Sequence, residues 1–210
     1  MTHRVMVTGI GMVSPLGLDR DTTWENLLKG VSGVDQITTF DTKGFATTIA
    51  AEVKGFEPEA YVGRKLARRM DRFVQLAAAA ALEAVEDAGV KVDPANGHRI
   101  SVMIASGIGG IITLSREQEV LLERGPSRVN PFLVPMMLPD MASGQVSMLF
   151  GAKGPNYSTV SACSSAADTL GQAYEAVKRG DVDMVLAGGA EAGISQLGLA
   201  KKLTIDSENT

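Results

Sequence analysis

The sequence predicts an α/β fold in which a mixed, mostly parallel sheet is covered by helices in a layered α/β/α arrangement. Continuous apolar segments at residues 100–105 and 182–187 are typical of strands that are buried on both faces. Apolar residues at helical spacing alternate with these segments along the chain, and such alternation favours a parallel sheet. The glycines, 23 in all, cluster after the apolar segments, where strands turn into helices. At 210 residues the chain can bury one core, or form one large part of a bigger fold.

The first part of the chain predicts two strands and two helices. Residues 5–8 form a short apolar segment, which predicts a strand. Thr22 and Glu25 have the spacing of a capping box, which predicts that a helix starts at this point. Alternation over residues 47–53 predicts a half-buried strand. The apolar face of residues 74–88 predicts a long helix that ends at a glycine.

The second part of the chain continues the alternation of strands and helices. The strand at residues 100–105 is followed by glycines and by a polar helix around residues 117–119. Residues 130–139 contain three prolines and therefore cannot be a regular helix throughout. A further helix is predicted at residues 141–150, and residues 182–187 form the last strand.

Residues 158–167 contain the only cysteine and join a predicted strand to a predicted helix. At a helix start the first backbone N–H groups are unpaired and the helix dipole is positive, so Cys163 is favoured as a thiolate nucleophile. Its small neighbours Ala162, Ser164 and Ser165 leave room for a substrate. The alternative is a small buried hydrophobic residue at a tight turn, which is what most single cysteines are.

Composition and charge exclude several classes of function. The net charge of −4 provides no general attraction for nucleic acid or for an anionic membrane. A single cysteine rules out an internal disulfide and fits a reducing compartment. The N-terminus lacks the pattern of a signal peptide, and no apolar run reaches the ~18 residues of a membrane span. We therefore expect a cytoplasmic protein.

Two other site types are rejected on the sequence. Gly9 and Gly11 follow a predicted strand, but Ser14 stands where a dinucleotide fingerprint has its third glycine, and no helix begins there. His3 and His98 are far apart in the sequence and are expected at the surface, so no metal site is predicted.

A basic cluster at residues 65–72 allows two interpretations. Such clusters are usually solvated helix faces, but in an acidic chain this one could dock an acidic partner. The residues alone do not decide between these readings. The cluster consists of Lys65, Arg68, Arg69 and Arg72.

The segment around Cys163 resembles the active-site loop of the β-ketoacyl-acyl-carrier-protein synthases, which are condensing enzymes of the thiolase-like fold. Further motifs match in order and spacing, and together they resemble the type II condensing enzymes of fatty-acid elongation. The resemblance covers roughly residues 1–199. The matching motifs are Val160-Ser161-Ala162-Cys163-Ser164-Ser165, Val5-Met6-Val7-Thr8-Gly9-Ile10-Gly11-Met12-Val13-Ser14-Pro15-Leu16-Gly17, Arg69-Met70-Asp71-Arg72-Phe73-Val74-Gln75, Ser106-Gly107-Ile108-Gly109-Gly110 and Gly188-Gly189-Ala190-Glu191.

The resemblance implies acyl transfer to Cys163, followed by decarboxylative condensation with a malonyl thioester and with no cofactor. The backbone N–H of Cys163 would supply half of an oxyanion hole. Ile108 would lie at the bottom of the acyl pocket, and Leu133 would reach across a homodimer interface to line the partner's pocket. Ordinary core packing is the alternative for both apolar residues. The resemblance also implies that an acidic acyl carrier protein docks on Lys65, Arg68 and Arg69.

The family's second half supplies two histidines and a lysine, and neither histidine is present here, because His3 and His98 lie outside the motifs. Residues 1–199 are therefore interpreted as the N-terminal half of a thiolase-like subunit, and residues 200–210 as a polar tail that departs from the family pattern. Three functions stay open: a condensing acyltransferase, a non-catalytic half-subunit that binds acyl carrier protein or dimerises, and a fragment of a polyketide ketosynthase.

Overall fold

The computed structural model of the chain describes residues 3–200. None of the helices in this range is long and apolar enough to cross a membrane. A short 3₁₀ turn at Ala162–Ser164 precedes the helix that follows the cysteine. The helices and strands in chain order are α1 (Arg20–Leu28), β1 (Asp35–Gln36), β2 (Ile49–Ala50), α2 (Pro58–Val62), α3 (Arg64–Ala67), α4 (Arg72–Asp87), β3 (Ile100–Ala105), α5 (Ile111–Arg124), α6 (Leu133–Met137), α7 (Met141–Phe150), β4 (Asn156–Tyr157), α8 (Ser165–Arg179), β5 (Met184–Gly189) and α9 (Gln196–Ala200).

The main sheet has three parallel strands in the order β4-β3-β5. The register of the central pair runs from Ile100 opposite Met184 to Ala105 opposite Gly189, so β3 and β5 are paired along their whole length. The two residues of β4 pair with Val102 and Met103. A separate antiparallel pair joins β1 to β2.

Helices cover both faces of the main sheet, and this explains why every residue of β3 is buried. Side chains of a strand alternate between its two faces. Val102 and Ile104 pack in one core with residues of α4 and α7, whereas Met103 packs in a second core with Ala173 and Ala176 of α8. The predicted layered α/β/α fold is therefore confirmed.

The long predicted helices agree with the structure. The helix at residues 74–88 is α4, and the helix at residues 141–150 is α7. The helix predicted after Cys163 is α8, which ends at Gly180 in the left-handed conformation with φ of 79°. The strand at residues 100–105 is β3, and the last strand begins two residues later than predicted.

The strand predicted at residues 5–8 is wrong. The N-terminal segment lies against α4, where a Cβ atom at Gly9 or at Gly11 would overlap backbone atoms of the helix. The N–H groups of Ile10 and Met12 donate to carboxylates of α4, at 2.9 Å and 2.8 Å. Backbone N–H groups of the N-terminal segment thus bond to side chains of α4 and not to a neighbouring strand. A cleft of about 910 Å³ lies between this segment and the outer edge of β5.

Several predicted boundaries also change. The N-cap of α1 is Asp19, whose carboxylate accepts from the N–H of Thr22 at 2.7 Å, so the helix begins before the predicted capping box. The strand predicted at residues 47–53 is reduced to Ile49–Ala50. Within the proline-containing segment only α6 is helical, as expected. The predicted tail is outside the described residues except for Ala200, which ends α9.

Candidate active site and docking surface

Cys163 is exposed and lies in the 3₁₀ turn that leads directly into α8. The strand predicted before this segment is β4, which has two residues and ends at Tyr157. The fifteen residues of α8 direct the positive end of its dipole toward this turn, which favours negative charge there. An accessible sulfur at such a position can react with an electrophile from solution.

Hydroxyl groups of the neighbouring serines hold the turn around Cys163. The buried Ser165 hydroxyl donates to the Ala162 carbonyl at 2.7 Å and accepts from the Ser161 N–H at 2.9 Å. The Ser164 hydroxyl donates to the Ser161 carbonyl, also at 2.7 Å. Small residues were expected to leave space for a substrate, and the structure gives these serines a second role in fixing the backbone.

Ala162 is the only residue other than glycine with positive φ in the described part of the chain, at 53°. This left-handed conformation costs an L-residue about 1–2 kcal/mol, so the surrounding contacts have to maintain it. Backbone strain of this kind is concentrated at functional sites. Its position immediately before Cys163 identifies this turn as a candidate active site.

The site forms at the carboxyl edge of the parallel sheet, where the segments that follow β3, β4 and β5 meet. The start of α8 lies close against the end of β5, since a Cβ atom at Gly189 would be 2.6 Å from the Cβ of Ala166. Gly107, which follows β3, lies beside Ala162. A Cβ atom at Gly107 would be 3.2 Å from the carbonyl oxygen of Ala162. Glycines therefore allow three segments to meet around Cys163.

Ile108 and Leu133, the two predicted acyl-pocket residues, lie on neighbouring segments. Ile108 is 55% exposed, so it is not an ordinary core residue, whereas Leu133 is half-buried at the start of α6. The Gly110 N–H donates to the Met137 carbonyl at the end of α6 at 3.0 Å, which joins the two segments. The structure thus brings Ile108 close to the Cys163 turn and links α6 to the loop that carries it.

The three residues predicted to dock a carrier protein, Lys65, Arg68 and Arg69, are all exposed. They line an open groove of about 590 Å³ together with Phe132 and two other residues. The Arg69 guanidinium lies 4.5 Å from the centre of the Phe132 ring, a cation–π contact that fixes one wall of the groove. A basic groove with an aromatic wall can bind an acidic, partly apolar surface.

Arg72 does not belong to this groove, which corrects the predicted basic cluster. Its guanidinium donates to the carbonyls of Val53 and Phe56 and lies 4.7 Å from the centre of the Phe56 ring. Burial lowers the pKa of Arg72, and the nearby Glu57 carboxylate partly opposes this. Arg72 therefore joins the start of α4 to the segment that contains Val53 and Phe56. The cluster is also divided among α3, the turn that follows it and the first residue of α4, so it is not one helix face.

Both histidines are exposed, as expected, and both lie far from Cys163. His98 precedes β3, and six residues of strand, or about 20 Å, lie between it and the carboxyl edge of the sheet. The His3 N–H donates to the Lys178 carbonyl near the end of α8, about 22 Å along the helix from the Cys163 turn. Residues 3–200 contain no cluster of side chains that could hold a metal ion.

Glu191 belongs to the site although its role is not evident from the sequence. The Glu191 carboxylate accepts from the Ser106 hydroxyl at 3.0 Å and from the N–H groups of Gly107 and Ile108 at 2.8 Å and 3.2 Å. Its motif after the last strand was recognised as family-like, but a sequence does not show that this carboxylate reaches a loop 83 residues away.

The chain matches the family described as the N-terminal domain of β-ketoacyl synthase over residues 2–204. The chain belongs to the β-ketoacyl synthase family. The predicted resemblance is thereby confirmed, and so is its restriction to the N-terminal part of the family.

Two curated relatives show how much of the family this chain covers. The 3-oxoacyl-[acyl-carrier-protein] synthase 2 of Staphylococcus aureus (strain COL) is 49% identical over 197 residues, which make up 94% of this chain and 48% of that protein. The protein of the same name from Vibrio cholerae (strain ATCC 39315) is 43% identical, with the same coverage. The chain therefore spans about half the length of the curated relatives it matches.

A solved structure agrees with the fold. The ishigamide ketosynthase/chain length factor superposes with a TM-score of 0.87 at 28% identity, over 94% of this chain and 50% of that one. The layers of helix and sheet described above are thus shared with a ketosynthase.

Proposed function

We propose that this chain is the cysteine-bearing half of a β-ketoacyl-acyl-carrier-protein synthase of fatty-acid elongation. The observation that carries the proposal is an exposed Cys163 in a strained turn at the start of α8. The curated relatives named above are 3-oxoacyl-[acyl-carrier-protein] synthases, and their name supports both the reaction class and the carrier.

In this proposal the Cys163 thiolate attacks the thioester carbonyl of an acyl carrier protein. The carbon–sulfur bond to the carrier breaks, the carrier thiol takes a proton, and the acyl group stays on Cys163 as a new thioester. In the second step a malonyl thioester loses carbon dioxide, and the resulting enolate attacks the acyl-cysteine and releases the Cys163 sulfur. Thiolate attack places a negative charge on the thioester carbonyl oxygen. Backbone N–H groups at the turn are suited to stabilise this oxyanion, because they are already in place and need no reorganisation.

The second step needs groups that this chain does not bring to Cys163. His3 and His98 are the only histidines, and each lies about 20 Å away along β3 or α8. Enolate stabilisation would therefore depend on histidines from the remaining half of a family-length protein. We therefore expect this chain to support acyl acceptance without condensation.

Mass spectrometry of the intact chain after incubation with a long-chain acyl carrier protein tests this function. We expect one added acyl group, located on the peptide that contains Cys163, because this is the only thiol in the chain. The Cys163→Ser variant is the control and should remain unmodified. If the wild-type chain stays unmodified while a full-length relative is acylated, the chain is not independently active.

A second candidate is a non-catalytic half-subunit that binds acyl carrier protein or dimerises. The distance of both histidines from Cys163 favours it, and so does the groove lined by Lys65, Arg68 and Arg69. Acidic carriers and basic surfaces associate through charge complementarity, which is screened by salt. A polyketide ketosynthase fragment would share these features and would be distinguished by the acyl carrier protein and the acyl chain that it accepts.

Charge reversal tests the docking surface that both candidates share. The Arg68→Glu/Arg69→Glu double variant should weaken carrier binding by at least about tenfold, as measured by calorimetry at low salt. The Lys43→Glu/Lys91→Glu double variant is the matched control, because it changes the net charge equally at two exposed lysines outside the groove. Equal affinity of the two variants would place the carrier elsewhere.

A further inference from the structure

The loop between β3 and α5 has a fixed backbone although one of its side chains is largely exposed. The N–H groups of Gly107 and Ile108 donate to the Glu191 carboxylate, and the N–H of Gly109 donates to the buried hydroxyl of Ser106 at 2.9 Å. That hydroxyl donates in turn to Glu191. One carboxylate thus holds three consecutive residues of the loop, while the Ile108 side chain stays 55% exposed.

The same loop contacts the turn that contains Cys163. A Cβ atom at Gly107 would lie 3.2 Å from the Ala162 carbonyl and 3.0 Å from the Glu191 carboxylate. Gly107 is therefore held between the two, and Ile108 follows it directly. Glu191 is itself held at the end of β5, since the N–H of the preceding Ala190 donates to the carbonyl of Ala105, the last residue of β3, at 2.9 Å.

We propose that Glu191 is a positioning residue, which places Ile108 relative to Cys163 and so sets how strongly the site prefers long apolar chains over short ones. This proposal rests on the proposed function, in which Cys163 accepts acyl chains. Without the carboxylate, two backbone N–H groups and one hydroxyl would lose their acceptor, and the loop would sample other positions. A long chain would then lose its contact with Ile108, whereas a small reagent that needs only the sulfur would not.

Alkylation of the single thiol measures this preference without any carrier protein. The probes are N-ethylmaleimide and N-octylmaleimide, applied to the whole 210-residue chain, and the measured quantity is the ratio of their second-order rate constants at Cys163. We expect the wild type to favour the octyl reagent, and the Glu191→Ala variant to lower the ratio by at least about fivefold. The rate with N-ethylmaleimide should change by less than about twofold, since the hydrogen bonds of Glu191 are to the loop and not to the sulfur.

Two further variants separate positioning from general destabilisation. Glu191→Gln keeps one oxygen that can accept from the loop, so the ratio should recover in part. Asp19→Ala removes a carboxylate that accepts two hydrogen bonds from Thr22 in α1, and it should leave the ratio unchanged. If Glu191→Ala does not fold, Glu191→Gln is compared with the wild type by hydrogen exchange, and we expect faster exchange at Gly107 and Ile108.

A wild-type ratio that persists in Glu191→Ala would overturn the proposal, and so would a wild type that shows no preference for the octyl reagent. Unchanged exchange at Gly107 and Ile108 in Glu191→Gln would also count against it. The outcome is independent of the acylation experiment. If Glu191→Ala lowers the rate ratio but the wild-type chain is not acylated, the proposed function alone is refuted. If the wild-type chain is acylated but Glu191→Ala leaves the rate ratio unaltered, the role of Glu191 alone is refuted.

Discussion

Ala162 and Cys163 show how a reactive position is maintained by its neighbours. The left-handed φ of 53° at Ala162 is unfavourable by itself, and hydrogen bonds from Ser164 and Ser165 to the turn offset its cost. The outcome is a sulfur that is exposed and yet fixed relative to α8. An exposed sulfur at a helix start is the arrangement that the proposed acyl transfer requires.

Glu52 is a residue whose charge stabilises the fold away from the site. It is buried, and its carboxylate accepts hydrogen bonds from the N–H and hydroxyl groups of both Thr38 and Thr39. Burial raises the pKa of Glu52, but the hydrogen bonds from the two threonines lower it by more than burial raises it. The pKa of Glu52 therefore lies below its usual value of 4.5. Because the pKa is lowered on folding, the stabilisation is complete above the unfolded pKa and is lost as the pH falls through the folded pKa.

We predict that Glu52→Gln lowers the free energy of unfolding by about 1–3 kcal/mol at neutral pH, because an amide cannot accept all of these hydrogen bonds. Urea denaturation at pH 7 and at pH 3 should show that the difference from the wild type narrows in acid. Glu86→Gln, at an exposed position of α4, is the control and should change little at either pH. A constant difference between wild type and Glu52→Gln at both pH values would contradict the assignment.

At the scale of elements, the packing of α8 on β5 depends on where small residues lie. Gly189 permits the start of α8 to approach the end of β5, because any larger residue would meet Ala166. Gly171 lies within α8 but has no neighbour within 4 Å of where its Cβ would be. The two glycines therefore have opposite roles: one is required by packing, and the other only weakens the helix.

This contrast gives a matched pair of substitutions. Gly189→Ala should destabilise the chain by about 1–3 kcal/mol through overpacking, and should slow the alkylation of Cys163 as α8 shifts. Gly171→Ala should stabilise it by about 0.5–1 kcal/mol, because alanine favours the helix. Thermal unfolding followed by circular dichroism measures both. Equal effects of the two substitutions would show that α8 and β5 are not in close contact.

At the scale of the whole molecule, the described part of the chain is a layered domain whose sheet has an exposed edge. β5 is an edge strand, and a cleft of about 910 Å³ lies between it and the N-terminal segment. Large apolar side chains are also exposed around α6, α7 and β4, among them Val134 (59%), Met148 (66%) and Val160 (60%). Exposed apolar patches usually mark interaction sites.

We predict that the isolated chain self-associates, and we propose that it does so as a homodimer through the surface that includes Val134, next to Leu133. Light scattering after size exclusion should show a mass above that of a 22.1 kDa monomer. Val134→Lys should lower the dimeric fraction, and Leu28→Lys, at a similarly exposed position of α1, should not. A monodisperse monomer at high concentration would refute the prediction.

The sequence determined the positions of the long helices, the central strand and the family. The apolar periodicity of α4, α7 and α8 predicted their positions, because each buries one face whose spacing follows from helix geometry. The continuous apolar run of β3 predicted its position, because that strand is buried on both faces. The cysteine motif and the motifs in register with it indicate the family, and the basic residues at 65–69 predict a docking surface for an acidic partner.

Only the tertiary structure decided what depends on contacts between distant residues. The N-terminal segment packs on α4 although its pattern favours a strand, and Arg72 faces the carbonyls of Val53 and Phe56 although its neighbours in sequence line the basic groove. Glu191 reaches the Ile108 loop across 83 residues of chain. A local sequence pattern predicts which face of an element is apolar. The hydrogen-bond partner of a polar group depends instead on which distant residues the tertiary structure brings within hydrogen-bonding distance.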